Sequence, residues 1–222
     1  MMTHSKQMSE SMRLGIALAM SGGLMDAYSY LERDHVFANA QTGNMLLLGV
    51  NLSQGNFDSA FHYFLPVLFF ALGIAVAQNL RILFGKRDFS VHWRQACVLI
   101  ECLALCVVAF LPLSVNALAN ALTSFACGIQ VQSFRKIHGN GIATTMCIGN
   151  MRSGVDNLVS FVHTGKREHL SASLISFGVI LSFVIGAVIG SLLIPHLGTY
   201  SILVSSGILL AAFGVMFREP EE

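Results

Sequence analysis

Charged residues are scarce in this sequence. Asp, Glu, Lys and Arg together make up 11% of the 222 residues, against roughly 25% in soluble domains. Apolar residues make up 54%, and the mean hydropathy is +0.66. This composition argues against a soluble globular protein. It predicts an all-α integral membrane protein in which nearly uncharged stretches of about 20 residues form membrane-spanning helices.

The sequence also lacks the patterns that mark common chemistries. Its five cysteines are odd in number, lie in apolar surroundings and form no C-x-x-C pair, so we expect apolar fillers rather than a disulfide framework. No Ser-His-Asp or zinc-like constellation can be built by spacing, and no basic-aromatic patch suggests nucleic acid. We therefore predict no catalytic residue, no metal, no cofactor and no nucleic-acid partner. The polar N-terminus has no obvious cleavage site and is expected to be a cytoplasmic tail.

Eight segments with helical character follow one another along the chain. The second and sixth are unusual, because the second has a sustained apolar run only from Met45 to Val50 and polar residues interrupt the sixth. Neither offers the 17 or more apolar residues that a span needs. The chain therefore has either eight spans, or six spans and two re-entrant half-helices. The segments are roughly 14–31, 36–53, 61–84, 94–112, 115–135, 141–163, 170–193 and 198–217.

The distribution of Lys and Arg favours six spans. With a cytoplasmic N-terminus and two re-entrant segments, 12 of the 13 basic residues lie inside and only Arg33 lies outside. With eight spans, the cluster from Arg81 to Arg94 would lie outside, against the positive-inside rule. Both termini are then cytoplasmic. The inside set is Lys6, Arg13, Arg81, Lys86, Arg87, Arg94, Arg135, Lys136, Arg152, Lys166, Arg167 and Arg218.

An internal repeat accompanies this topology. Gly43-Asn44-Met45 recurs 106 residues later as Gly149-Asn150-Met151, and at the same offset Gly22 matches Gly128. The third and seventh segments match better at an offset of 113. We predict one membrane domain, residues 1–222, built from two repeats at about 12–112 and 115–218. Three spans in each repeat, an odd number, give inverted topology, and the half-helices should meet inside the protein near the bilayer middle.

The repeated motifs are the first candidate site. Thr42 can cap a half-helix that begins at Gly43, and the glycines at 43 and 149 permit close backbone approach. Asn44 and Asn150 offer donors and acceptors to a substrate. Two half-helix N-termini that meet at mid-membrane would favour an anion. The alternative is that these residues satisfy only their own backbone.

Charged residues near the motifs extend the site. Arg152 follows the second motif, where it would strengthen anion binding, reach the cytoplasmic surface or pair with Asp156. Asp26 lies in the first span, where Gly22 and Gly23 are expected to break the helix. A carboxylate within a membrane indicates a functional site, and Asp26 could bind a proton or cation that is coupled to transport. The alternative is that Asp26 caps a neighbouring helix.

Two further sets of residues complete the candidates. Gln130 and Gln132 in the fifth span would face Asp26 if the repeats pack about a pseudo-two-fold axis. Glu101 is expected to form a structural ion pair with Arg135 or Lys136. The predicted substrate-binding residues are Asp26, Gln41, Thr42, Gly43, Asn44, Gln130, Gln132, Gly149, Asn150 and Arg152.

Several of these motifs resemble a known family. Gly22-Gly23-Leu24-Met25-Asp26-Ala27, Phe37, Gln41-Thr42-Gly43-Asn44 and Gly128-Ile129-Gln130 are similar to the YoaK-like family, domain of unknown function 1275. The resemblance implies a bacterial multi-span membrane protein of the inner membrane, of a kind often suggested to be a transporter without an established substrate. Many members have Thr-Gly-Asn in the second half, where this chain has Ile148-Gly149-Asn150.

The preferred function is a transporter of a small molecule or ion, for which the two half-helix N-termini favour an anion. It would work by alternating access between the inverted repeats. A passive channel with the same paired half-helices is the main alternative. A membrane-embedded enzyme and a receptor or scaffold without flux are weaker alternatives. The expected partners are the lipid bilayer and the substrate. A homodimer is left open, because Gly186 and Gly190 suit close helix packing within or between chains.

Overall fold

The computed structural model describes residues 12–84, 93–134, 136–137, 140–141 and 147–215. The described chain is helical, as predicted, except for a two-residue antiparallel pair, β1 (Lys136–Ile137) with β2 (Asn140–Gly141). Short 3-10 turns occupy Leu113–Val115 and Gly198–Ser201. The helices are α1 (Met12–Glu32), α2 (Gln41–Ser53), α3 (Phe57–Phe84), α4 (Trp93–Phe110), α5 (Asn116–Ser133), α6 (Cys147–Thr164), α7 (Arg167–Leu197) and α8 (Ile202–Val215).

Three stretches are long and apolar enough to cross a membrane: Phe57–Phe84, Trp93–Phe110 and the continuous run Arg167–Gly214. Apolar side chains cover much of their outer surface, including Phe61 and Leu192, as expected for a lipid-facing surface. α1 and α5 are less apolar because most of their side chains are buried against other helices. A helix that is surrounded by other helices does not need an apolar side chain at every position, because few of its side chains contact lipid.

Four helices form the centre of the fold. α1 packs on α8, α8 on α4, and α4 on α5, with a smaller contact between α5 and α1. The main apolar cluster lies between them and includes Leu18, Met25, Leu105 and Leu209. α7 packs along the outside of α1, and α3 packs along the outside of α5. The short helices α2 and α6 lie on the outermost layer, against α3 and α7 respectively.

Glycines permit the two closest helix contacts. A Cβ built on Gly73 of α3 would lie 2.2 Å from the Phe125 carbonyl oxygen, and one on Gly128 of α5 would lie 2.1 Å from the Phe70 carbonyl oxygen. Gly23 of α1 and Gly186 of α7 approach each other's helices in the same way. Such small-residue contacts are typical of helices packed in membranes. The predicted contact of Gly186 is therefore made within the chain.

Contacts between distant residues define two ends of the molecule. At one end, called the Arg33 end, the C-terminus of α1 meets the α4–α5 turn, and His62 at the start of α3 lies 3.3 Å from the Asp34 carbonyl oxygen. At the opposite end, called the Arg94 end, the guanidinium of Arg94 donates to the Ser133 carbonyl at the end of α5. These contacts fix which helix termini lie on the same side.

Candidate functional site

The Asp26 carboxylate lies two thirds of the way along α1 and is half-buried. Its Oδ1 accepts the backbone N–H of Asn39 at 2.7 Å, and the backbone amides of Ala38 and Ala40 also face it. The Asn39 side chain donates to the Gly22 carbonyl of the same helix at 3.1 Å. Three successive amides directed at one carboxylate form an anion-binding nest, in which Asp26 is the anion.

The segment that supplies these amides turns back into the fold after α1. Asp34 and His35 adopt left-handed backbone conformations, which reverse the chain direction. The chain then runs from the Arg33 end to the level of Gly22. Eleven residues of α1 separate Gly22 from Arg33, which corresponds to about 16 Å at 1.5 Å per residue. That distance is about half of a hydrocarbon core of roughly 30 Å.

The Gln41-Thr42-Gly43-Asn44 motif forms the first turn of α2 and holds the preceding loop. Asn44 is buried, donates to the Phe37 carbonyl at 2.7 Å and accepts the Phe37 N–H at 3.2 Å. Gln41 accepts a hydrogen bond from Asn44 and donates to the Ala38 carbonyl at 2.7 Å. A Cβ on Gly43 would meet the Phe37 ring at 2.8 Å. The motif therefore builds the amide nest around Asp26.

The role predicted for Thr42 is wrong. α2 begins at Gln41, the N-cap residue is Ala40, and no side chain caps the helix. Thr42 is exposed in the first turn. The Asp26 carboxylate instead accepts the amides of the three residues that precede the helix. Gly22 and Gly23 do not break α1 either, since that helix is continuous from Met12 to Glu32.

The second motif lies in α6, which begins at Cys147. The Cys147 thiol is within electrostatic range of Asp26, the carboxylate that binds the loop before α2. Asn150 is buried like its counterpart Asn44, whereas Gly149 is exposed with open space around its Cα. The structure thus brings the first turns of both short helices close to one carboxylate. Thr144 and Thr145, the threonines from which the sequence would predict a cap for this turn, lie outside the described residues.

Arg152 is placed away from this carboxylate. Its side chain is 85% exposed and lies 3.8 Å from Asp156, so the pairing considered for it is present on the outer face of α6. Most other side chains of α6, and of α2, are also exposed in the single chain. Their buried residues are concentrated near their N-termini. The short helices are therefore peripheral, and only their polar first turns reach inward.

The two glutamines of α5 have separate partners. Gln130 donates to the Leu18 carbonyl of α1 at 2.9 Å, about two turns from Asp26. Gln132 donates to the Gln78 side chain of α3 at 2.7 Å. The glutamine pair therefore ties α5 to both neighbouring helices. Gln132 faces α3 rather than Asp26, contrary to the expectation from the repeat.

Glu101 has no ion pair among the residues whose side chains the structure describes. It is fully buried in α4, and neither carboxylate oxygen has a hydrogen-bond partner there. The predicted partners, Arg135 and the side chain of Lys136, lie outside the described residues. Within that described part of the chain, no group of three His, Cys, Asp or Glu side chains could hold a metal ion.

Asn39 and Arg33 were missed at the sequence level. Asn39 lies in a loop and supplies the central amide to Asp26. The sequence feature that could have pointed to it is its position two residues before Gln41, the first residue of the motif. Arg33 was counted only as an outside charge between Glu32 and Asp34.

A surface groove of about 480 Å³ at the α6–α7 turn contains none of the predicted site residues. We attach the site to the carboxylate and its amides, because a groove between helix ends has no convergent polar groups.

Comparison with known proteins agrees with the membrane assignment. A family model described as "Protein of unknown function (DUF1275)" matches residues 14–215. A Bacillus subtilis (strain 168) protein named "UPF0700 transmembrane protein YoaK" is 25% identical over 211 residues, which cover 90% of this chain and 89% of the relative. No solved structure matches. The relative is named for its location in a membrane and not for an activity.

Proposed function

The chain belongs to the DUF1275 family, and we propose that it is an inner-membrane transporter of a small molecule or ion, with its substrate site at Asp26. The observation that carries this proposal is the position of the Asp26 carboxylate, beside a non-helical segment that enters the fold from the Arg33 end. Carboxylates and broken helices at mid-membrane are the usual components of transporter sites. The proposal includes no catalytic step and no cofactor.

The contacts at the Arg33 end support six spans with α2 as a re-entrant half-helix. The loop after α1 descends to Asp26, and α2, of 13 residues, is about 20 Å long. His62 near the start of α3 then contacts Asp34 at the end of α1. If α2 crossed the membrane, these two residues would lie on opposite sides. The contact favours a chain that enters and returns at the same side.

The helix packing supports two repeats of inverted topology. The main helix contacts have counterparts when α1–α4 are matched in order with α5–α8. The contact of α1 with α7 corresponds to that of α5 with α3, and the contact of α1 with α8 corresponds to that of α5 with α4. The buried, half-buried and exposed positions of residues 14–29 recur at 119–134, with Ile16 as the exception. This offset of 105 matches Gly23 with Gly128, one residue from the sequence match. It also makes Val131 the counterpart of Asp26.

The geometry revises the argument about substrate charge. Asp26 already supplies the anion that the N-terminus of α2 attracts. The expectation of an anionic substrate therefore depends on the N-terminus of α6 alone, and Arg152 does not contribute from its exposed position. A fixed carboxylate in one half of a near-symmetric fold favours a substrate or coupling ion with positive charge. Association into a homodimer stays a prediction.

The test is uptake by purified protein in proteoliposomes. Pools of labelled amino acids, amines, sugars, carboxylates and inorganic ions would be screened for time-dependent, saturable uptake. We expect one class to be taken up, and Asp26→Asn to abolish that uptake. Asp58→Asn, which changes an exposed carboxylate in the first turn of α3, is the matched control and should transport normally.

The same assay separates the alternatives. A transporter shows saturable flux and exchange of internal for external substrate, whereas a channel shows flux that rises linearly with concentration. Flux that survives in Asp26→Asn at the wild-type rate would contradict a site at Asp26. Absence of flux for every class, with protein that is folded and correctly inserted, would contradict the transporter proposal itself.

A further inference from the structure

Glu101 is a carboxylic acid at the centre of the fold with no hydrogen-bond partner among the described residues. Its side chain is fully buried, and both oxygens lack a partner. Burying an ionised carboxylate without a partner is very costly, so the group must be neutralised. Because the described residues place no cation against it, the simplest neutral form is the protonated acid.

The surroundings of Glu101 contain thiols and no described cation. Cys97 and Cys102 of α4 and Cys127 of α5 are within electrostatic range of it. α8, which packs on α4, carries no ionisable side chain between Ile202 and Val215. α3 touches α4 less extensively.

Three other charged groups lie on α4 and the neighbouring helices. Arg94, within electrostatic range of Cys97, donates to the Ser133 carbonyl at 3.1 Å. Arg81 of α3 is exposed. Asp26 of α1 is within electrostatic range of Cys127. None of these contacts gives Glu101 a described partner.

Packing alone does not require an acid at this position. Six of the eight buried residues of α4 have a buried counterpart 104 residues later, in α8 and at Ser201 just before it. This correspondence places Ser205 at the position of Glu101. Ser205 is satisfied, because its hydroxyl bonds to the Ser21 hydroxyl of α1. The α5 counterpart of Ser21 is Ala126, which offers Glu101 no side-chain donor. The acid therefore occupies the position of a small satisfied hydroxyl, and no described side chain bonds to it in exchange.

One buried thiol lies near both Glu101 and Asp26. The Cys127 thiol of α5 is within electrostatic range of both carboxylates and lies beside the Asn39 side chain. Asn39 in turn donates its backbone N–H to Asp26. The two carboxylates thus share a buried neighbour.

We propose that Glu101 is the proton-binding residue of this protein and that its proton couples transport at Asp26 to the conformational cycle. This inference rests on the proposed function for the coupling. The proton site itself rests on the burial of Glu101, on the lack of a partner among the described residues and on the counterpart Ser205. The step is a proton transfer: the O–H bond of the carboxyl breaks, its electron pair stays on Glu101, and water admitted from the Asp26 side accepts the proton. Loading reverses these events.

The first test uses dicyclohexylcarbodiimide, an apolar reagent that adds to protonated carboxyls in apolar surroundings. Intact-protein and peptide mass spectrometry of the detergent-purified protein should show an adduct on Glu101. The adduct should be lost in Glu101→Gln. The yield of the adduct should fall as the pH rises. This fall should be larger than the one measured for a model carboxylic acid in the same detergent. Glu168, exposed in the first turn of α7, is an internal control that should react with a water-soluble carbodiimide instead.

Two results would overturn the proton site. If Glu101 forms no adduct at any pH, it is a charged and paired carboxylate. If the adduct yield on Glu101 does not change with pH, it is a permanently neutral structural acid. Thermal stability is a second readout: Glu101→Gln and Glu101→Ser should melt at or above the wild-type temperature. A clear loss of stability in both variants would restore the structural ion pair.

Transport then tests the coupling separately. In proteoliposomes, Glu101→Gln should lose uptake driven by an imposed pH gradient and keep exchange of labelled for unlabelled substrate. Uptake that responds to the gradient as in wild type would overturn the coupling. If Glu101 is labelled and titrates but no substrate is ever transported, the proposed function fails and the proton site stands.

Discussion

The guanidinium of Arg33 donates to the side-chain oxygen of Asn116 at 2.9 Å, and both residues are buried. The remaining Arg33 donors reach the carbonyl oxygens of Val108, Leu111 and Pro112, and Nε donates to the Tyr28 hydroxyl at 2.8 Å. A cation thus lies at the C-terminal end of α4, where the last carbonyls have no partner within the helix and carry partial negative charge. Arg33 links the end of α1 to the turn that joins the two halves of the chain.

Replacing Arg33 should destabilise the protein strongly. Arg33→Ala leaves buried carbonyls without donors, at about 1–3 kcal/mol for each acceptor that water cannot reach. Arg33→Lys keeps the charge but has three donors in place of the planar fork, so it should recover only part of the loss. Thermal unfolding in detergent, followed by loss of monodisperse protein, measures the effect. Arg13→Ala, at an exposed position of α1, should leave the melting temperature unchanged.

The close contact of α3 with α5 gives a second prediction. Gly128→Ala places a methyl group about 2.1 Å from the Phe70 carbonyl oxygen, so the helices must separate. We expect a loss of about 1–3 kcal/mol, the usual range for overpacking. Gly207→Ala in α8 meets nothing within 4 Å and should be neutral or slightly stabilising, since Ala is the better helix former. Equal effects of the two substitutions would contradict the described packing.

Much of the fold could be predicted from composition and periodicity. The eight segments correspond in order to the eight helices, because nearly uncharged apolar runs of this length form helices in a membrane. The shortness of α2 was visible from its single apolar run. The packing partners were not visible, since the contact of Gly73 with the Phe125 carbonyl depends on how distant helices cross.

The candidate site was predicted in part. The sequence singled out Asp26 and the two Gly-Asn motifs, and the structure places Asp26 near the first turns of both short helices. The bonding within the motif could not be predicted, because Asn44 reaches back to Phe37 through a loop whose path the sequence does not specify. The burial patterns of α1 and α5 match at an offset of 105 rather than 106, and under the proposed repeat this makes Val131 the counterpart of Asp26 in place of Gln132.

The Asn44 side chain should be required for the loop that faces Asp26. Asn44→Ala removes two donated bonds and one accepted bond in a buried position, and a loss of about 1–3 kcal/mol is expected for an unsatisfied buried group. Asn79→Ala is the matched control, because Asn79 is exposed and bonds only to the Ala75 carbonyl of its own helix. Hydrogen exchange of the amides at 37–40 should rise in the first variant and stay unchanged in the second.

The proposed inverted topology predicts opposite sides for two equivalent turns. The α2–α3 turn should lie outside the cell and the α6–α7 turn inside if each repeat has three spans, as we propose. Single cysteines on a Cys-less background at Ser59 and Lys166, both exposed, would be treated with a membrane-impermeant maleimide on intact cells and on inverted vesicles. Ser59→Cys should react only on cells, and Lys166→Cys only on inverted vesicles.

A permeant maleimide provides the control for that experiment, since it should label both variants in both preparations. Labelling of both cysteines from the same side would exclude a chain with three spans between these turns. It would also remove the inverted repeat on which alternating access depends. The contact of His62 with Asp34 would still require α2 to return to the side where α1 ends. The labelling pattern therefore tests the relation between the repeats separately from the re-entrant path of the first one.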